Sequence, residues 1–440
     1  MKRFTEFFLL SIALIVMLSS CNNDRLGLEE QPNEISSSAS TDSNLWTPEE
    51  AIQNVQDFVL GISENGNLRN ASLNVETIVP VSSSLQEGGT KLREGVKELS
   101  DTTLYLINFA NNEGYAIAAA DKHVSPVVAY VPEGHLVGLD DVDNPGFEMY
   151  INRAVSHIQK EVKEQKWINK IVELDQLINP EDFQRIRFYQ TYGSWDQYVL
   201  DHLLSTVWHQ RSPFNDNAPI MSGVKAPAGC VAIAVGQIFS YYENPIQYDW
   251  TRINKFANLR YSPSTQEEQE ARPLVAKLLR DIGEGVHMNY GPSGSGASSA
   301  NALAYMRSLN FSCENLQDYS VSKIKESILN GYPVYIEGFR YKDEVNKTGY
   351  TGHAWVIDGV GVRRRKVECF YGERLIGRYF ETDNIVACNW GWGKGWNGYF
   401  LADVLTPGDA IILNKETGDD KPVQKGYYHL GVRIIPNINR

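Results

Sequence analysis

The run Ala228-Gly229-Cys230-Val231-Ala232-Ile233-Ala234-Val235-Gly236-Gln237-Ile238-Phe239-Ser240-Tyr241-Tyr242 decides the fold. Val231, Val235, Ile238 and Tyr242 recur at the period of a helix with one face against a core, and Cys230 falls in its first turn. Pro227 suits the entry, and Asn244-Pro245 ends the run because proline cannot continue the ladder. A helix N-terminus offers unpaired N–H groups and about half a positive charge, which favours a thiolate over a thiol. A cysteine there is a candidate nucleophile. The competing reading is a small buried apolar residue.

A thiolate nucleophile needs a base, a group that orients the base, and donors for the oxyanion. His353, in Thr351-Gly352-His353-Ala354-Trp355-Val356-Ile357-Asp358-Gly359, is the best base, placed at the head of an apolar strand. His202, His209, His287 and His429 have no such setting, and His123, His135 and His157 belong to an earlier domain. Downstream, Cys388-Asn389-Trp390-Gly391-Trp392-Gly393-Lys394-Gly395-Trp396 supplies an orienting group. The Asn389 carbonyl can accept from the histidine ring, and the adjacent indole can shield that bond. An aromatic cluster capping the sheet is the alternative.

The chain has 440 residues, 42% hydrophobic and 22% charged, which is the make-up of a globular protein with two or three domains. A net charge of −13 argues against nucleic acid as a partner. The basic run Arg363-Arg364-Arg365-Lys366 reads as a solvated loop or strand end. Neither a metal motif nor a phosphate motif appears, and the chemistry requires no cofactor.

Lys2 and Arg3 precede an apolar run from Phe7 to Leu18, the pattern of an export signal over residues 1–21. Leu18-Ser19-Ser20-Cys21 resembles the bacterial lipobox, which implies acylation of Cys21 and a membrane tie by lipid alone. Residues 22–44 are polar and Ser-rich, a tether. Few cysteines remain beyond Cys21, so this is not a disulfide scaffold.

A first domain, 45–195, opens at Thr47-Pro48-Glu49-Glu50, a helix start with Thr at the N-cap and Pro at N1. Strand-like runs follow at Leu104 to Phe109, Tyr115 to Ala119 and Val127 to Val131, the first two joined by Asn111-Asn112-Glu113-Gly114. A mostly helical stretch runs from Glu148 to Leu174. The second domain, 196–440, reads as helices first, Glu267 to Leu279 and Ala300 to Leu309 among them, and strands after Val334. That order predicts an α+β domain with an antiparallel sheet.

Together, Ala228-Gly229-Cys230-Val231-Ala232, Gly352-His353-Ala354 with Val356-Ile357-Asp358-Gly359, and Asn389-Trp390-Gly391-Trp392-Gly393 resemble the streptopain family of papain-like cysteine peptidases. The resemblance implies a papain-like catalytic domain and a thiol protease made as a zymogen, acting on protein or peptide substrates. It implies that Gln210 and the Cys230 backbone N–H form the oxyanion hole. Tyr290, Gly291 and Ser293 resemble the family's cleft wall, and Gly352, Trp390 and Trp392 complete the substrate contacts it implies. The run Gly114-Tyr115-Ala116-Ile117-Ala118-Ala119-Ala120-Asp121-Lys122 is similar to the family's inhibitory propeptide, so the first domain is expected to cover the cleft until cleavage between about Asn179 and Asp196. Two departures bear on substrate recognition: a shorter Gly/Ser loop at Ser293 to Ser299, and a polar insertion from Arg340 to Tyr350 that reads as a lid or a solvated loop. A catalytically idle binding homologue and a Cys-His transferase or amidase are the rival functions.

Overall fold

The computed structural model describes residues 44–65, 73–86, 89–95, 101–139, 142–164, 188–200, 202–256, 264–343, 348–406 and 430–440, which belong to one compact unit. The export signal, Cys21 and the tether up to Ser43 lie outside the described residues, as does most of the span expected to be cleaved. No helix among the described residues is long and apolar enough to cross a membrane.

In chain order the elements are α1 (Pro48–Asn65), β1 (Val75–Gln86), β2 (Gly89–Glu94), β3 (Leu104–Phe109), β4 (Tyr115–Ala119), β5 (Val127–Val131), α2 (Pro145–Glu164), β6 (Phe188–Tyr192) and β7 (Asp196–Leu200). Then come β8 (Ile220–Met221), β9 (Val224–Lys225), α3 (Cys230–Tyr242), α4 (Trp250–Lys255), α5 (Gln266–Gly285), α6 (Ser299–Ser308), β10 (Gln317–Asp318) and α7 (Val321–Leu329). The chain closes with β11 (Val334–Asp343), β12 (Thr348–Tyr371), β13 (Arg374–Asn389), β14 (Gly398–Leu401) and β15 (Leu430–Ile435). Helices precede strands in the second half, the expected α+β order.

Local chemistry explains the starts. Thr47 and Glu50 cap α1 reciprocally, Glu50 N–H donating to Thr47 Oγ1 and Thr47 N–H to the Glu50 carboxylate. Asn111, Asn112 and Gly114 all have positive φ, which lets the chain reverse tightly between β3 and β4. The α2 helix begins at Pro145, with Asn144 Oδ1 accepting from the N–H groups of Gly146 and Phe147.

The antiparallel ladders run β10-β15-β11-β12-β13-β14-β5-β4-β3-β1-β2, so one sheet passes from the second domain into the first. The join is β14 on β5, where Tyr399 faces Tyr130 and Phe400 faces Ala129. Two predicted strands, His353 to Val360 and Lys366 to Phe370, are a single long β12, and its hairpin partner β13 is also longer than expected. This hairpin reaches out to pair with β6 and β7, which the sequence did not reveal.

Here the basic run is corrected. Arg363 and Arg365 are buried in the middle of β12, not solvated. Arg363 pairs with Asp383 and Arg365 with Glu381, and both guanidinium groups stack on Trp195. Ion pairing and aromatic faces offset the desolvation. The described ends of the Arg340 to Tyr350 insertion are likewise strand and not loop, Tyr341 opposite Tyr350 and Asp343 opposite Thr348.

Candidate active site

Helix α3 is apolar on every side. Val231, Ile233, Val235, Ile238 and Phe239 are all buried, each worth about 1.5–3 kcal/mol. The α3 core also holds Trp208 and residues of α5 and α6, with Tyr335, Ala354 and Val356 from the sheet. Cys230 is the first helical residue, and Gly229 before it has φ 92°, a left-handed conformation that glycine adopts without strain. A Cβ at Gly229 would lie 2.6 Å from Met288 Cε and 3.2 Å from the Ser295 carbonyl, so the Gly/Ser loop closes directly on the N-cap before Cys230.

The segment carrying Gln210 is pinned at three points. Trp208 N–H donates to Gln237 Oε1 of α3 at 3.3 Å, Gly393 N–H donates to the Trp208 carbonyl at 3.2 Å, and Ala228 N–H donates to the Gln210 carbonyl at 2.9 Å. Gln210 is therefore tied two residues upstream of Cys230, alongside the Asn389-Trp390-Gly391 turn. Gln237 is a residue that the sequence reading missed; a polar side chain within an all-apolar helix was its signal.

His353 lies within β12, opposite Gly338 of β11, and not at a strand head. Its side chain points to the sheet face away from α3, with Trp355 stacked at 6.1 Å and Trp392 edge-on at 5.6 Å. His353 Nε2 lies 2.7 Å from the Trp390 carbonyl, and among the described residues no hydrogen bond joins His353 to Cys230 or Asn389. Asn389 instead donates from Nδ2 to the Thr206 carbonyl at 2.6 Å, and its Oδ1 accepts from Gly391 N–H. The orienting bond expected between Asn389 and His353 is not made in this state.

A further contact comes from the far face of the sheet. The first turn of α2 is packed on the histidine: a Cβ at Gly146 would lie 2.5 Å from His353 Cδ2 and 2.7 Å from Trp390 Cε3. Phe147 and Tyr150 follow, with ring centroids each 6.4 Å from Trp390. Asn144, Gly146 and Phe147 were invisible in the sequence because nothing in a helix start announces what it docks on.

Burial acts on both side chains. Burial pushes the Cys230 thiol up, against the opposing pull of the Ala354, Val231 and Cys230 N–H groups, with Glu337 adding repulsion. Burial also lowers the imidazole of His353 to about 4, although its bond to the Trp390 carbonyl works the other way. Thiol and neutral imidazole are therefore favoured over the thiolate–imidazolium pair expected from the helix N-terminus.

The expected substrate contacts divide. Ser293 is exposed in the Gly/Ser loop near Gly291. Tyr290 folds back on α5, under the Arg280 guanidinium at 5.1 Å. Gly352 sits opposite Phe339. Trp392 borders His353, whereas the Trp390 indole is fully buried among Phe147, Tyr150, Trp355 and Phe400, which takes it away from any substrate. The free cysteines are Cys230, Cys313, Cys369 and Cys388.

A model of the Peptidase C10 family matches residues 208–400, and one of the Spi protease inhibitor matches residues 43–158. The chain carries a C10 cysteine peptidase domain behind a Spi-type inhibitor domain. It is 26% identical over 357 residues to streptopain of Streptococcus pyogenes serotype M28, which covers 70% of this chain and 76% of that protein. It is 24% identical over 351 residues to the thiol protease/hemagglutinin PrtT of Porphyromonas gingivalis, covering 71% of this chain but 35% of PrtT. Among solved structures, a fragment of Prevotella intermedia prointerpain A matches with a TM-score of 0.49 at 18% identity, over 82% of this chain and 99% of that one. The α2 helix that holds His353 thus belongs mostly to the inhibitor match, and His353 to the peptidase match.

Proposed function

We propose that this protein is the zymogen of an exported endopeptidase in which α2 holds the catalytic base out of action. The carrying observation is Gly146 packed on His353 while His353 Nε2 is occupied by the Trp390 carbonyl. Release of α2 removes that packing and frees His353 to reach Cys230 and the Asn389 carbonyl. Cys230 then attacks the peptide carbonyl as a thiolate, and His353 carries the compensating positive charge and protonates the leaving amine. Gln210 and the Cys230 N–H hold the oxyanion, worth roughly 3 kcal/mol per donor. The Gly/Ser loop, with Ser293 exposed, and Trp392 border the cleft.

Export rests on the Phe7 to Leu18 run, and a lipid anchor on Cys21 in the lipobox-like Leu18-Ser19-Ser20-Cys21. Cleavage between about residues 179 and 196 separates the domains, and since β6 and β7 are strands of the β12 ladder, a cut before Phe188 leaves them with the peptidase.

The test is casein digestion under reducing conditions, by the full-length chain and by chain trimmed before Phe188. Digestion by the trimmed form, with little by the full-length form and loss of at least about a thousandfold in Cys230→Ala, is expected. Equal turnover by both forms overturns the zymogen reading, and activity retained in Cys230→Ala overturns the nucleophile.

A further inference from the structure

A cavity of about 490 Å³ opens where α1, the turn between β6 and β7, and β12 meet. It shares no lining residue with the Cys230 and His353 site. Trp46, Glu50, Asp57 and Lys122 line it from within the inhibitor match, Arg365 from within the peptidase match, and Tyr192 and Trp195 from the segment between the two.

Arg365 is 4% exposed, and its guanidinium carbon lies over the Tyr192 and Trp195 rings, 4.0 and 4.5 Å from their centroids. A guanidinium whose faces are covered by rings bonds only in its own plane. There, Nε donates to Glu381 Oε2 at 2.7 Å, whereas Nη2 meets no acceptor among the described residues. The indole N–H groups of Trp46 and Trp195 meet none either. Lys122 Nζ adds a positive charge, 5.1 Å from the Trp46 ring centroid. The acidic side chains already have partners: Glu50 accepts from Thr47 N–H at 2.9 Å and lies 3.6 Å from Lys122 Nζ, and Asp57 accepts from Gln53 Nε2 at 2.7 Å. Buried donors are nearly always paired, so three of them left over around one cavity mark a place for an acceptor.

We propose that this cavity binds a carboxylate, received by Arg365 Nη2 and the indole N–H groups of Trp46 and Trp195. A carboxylate is planar and accepts only, which matches a set of in-plane donors. Glu50 and Asp57 place negative charge on the same lining and so disfavour a doubly charged anion such as phosphate. The carboxylate belongs to a free organic acid or to the C-terminus of a peptide. Because the lining is drawn from both matches, an occupied site stabilises the uncleaved arrangement by mass action. The site is independent of which residue attacks the substrate.

The experiment is isothermal titration calorimetry of the full-length chain carrying Cys230→Ala, at matched ionic strength, with acetate, N-acetyl-dialanine, its C-terminal amide and inorganic phosphate, each up to about 50 mM. At least one of the two carboxylates is expected to bind, with the amide and phosphate at least about tenfold weaker. Tighter binding of N-acetyl-dialanine assigns the site to peptide ends, and acetate binding as tightly or more so assigns it to small acids. Trp46→Phe and Trp195→Phe keep a ring and delete the N–H, and each is expected to weaken the carboxylate by about tenfold in chain that stays folded by circular dichroism. No heat from either carboxylate, the amide or phosphate binding as tightly as the acid, or unchanged affinity in either folded Phe variant overturns the proposal.

Discussion

Helices α3 and α2 press on opposite faces of the same two strands, β11 and β12, yet they are built differently. The α3 helix is apolar on all sides and buried among α5, α6 and the sheet, so Cys230 is placed by the core itself. Helix α2 buries one side, Phe147, Tyr150, Ile151, Ala154, Val155 and Ile158, and it meets the His353–Trp390 face through its first two turns. Cys230 is held within the span of the peptidase match, whereas His353 is packed by an element that lies mostly in the inhibitor match. On the proposed roles, a site divided in this way is fully folded and still idle, because His353 depends on a removable neighbour.

The strongest test of that contrast is Gly146→Val. A Cβ there meets His353 and Trp390 well inside contact distance, so the first turn of α2 must lift. Uncleaved chain is expected to gain at least about tenfold in casein digestion while retaining its fold by circular dichroism, since overpacking of 1–3 kcal/mol falls on the α2 contact and not on α3. The matching substitution on the other helix, Gly236→Val, would press on Leu279 and Trp208 and should lower stability with no gain in activity.

Acid offers the next test. Burial lowers His353 to about 4 from an ordinary 6.5, so the closed state binds fewer protons than the open one in that window. Stability of the closed state from this group is complete above pH 6.5 and is lost as pH falls toward 4, by up to about 3 kcal/mol. Hydrogen-exchange protection at 145–151, corrected for the intrinsic pH dependence of amide exchange, should therefore fall between pH 6.5 and pH 4.5, with the protection of the α3 amides unchanged. An equal fall in both helices would erase the distinction.

The smallest expected effect is Asn144→Ala, which removes the acceptor for the Gly146 and Phe147 N–H groups. Loss of an N-cap costs about 1 kcal/mol, a roughly fivefold change in opening. A basal activity raised by about that factor, without cleavage, would sharpen the case that the α2 start is the restraint.

Part of this was legible early. Helix α3 could be read from its apolar spacing and bounding prolines, α1 from Thr47 and Glu50, and the β3–β4 turn from its Asn-Asn-Glu-Gly run, because each signal is local. The long β12–β13 hairpin was not, since its middle carries Arg363 and Arg365, residues that read as solvated until Asp383, Glu381 and Trp195 come together around them.

By itself the sequence determined which chemistry is available: a cysteine opening a buried helix, a histidine in an apolar strand and an Asn-Trp pair, all within range of ordinary pattern and capping rules. Tertiary structure alone decided whether that chemistry is switched on. The environment of His353, and with it the charge its imidazole favours, depends on packing by a helix some two hundred residues earlier in the chain, and desolvation is a property of the assembled surroundings that no local run of residues encodes.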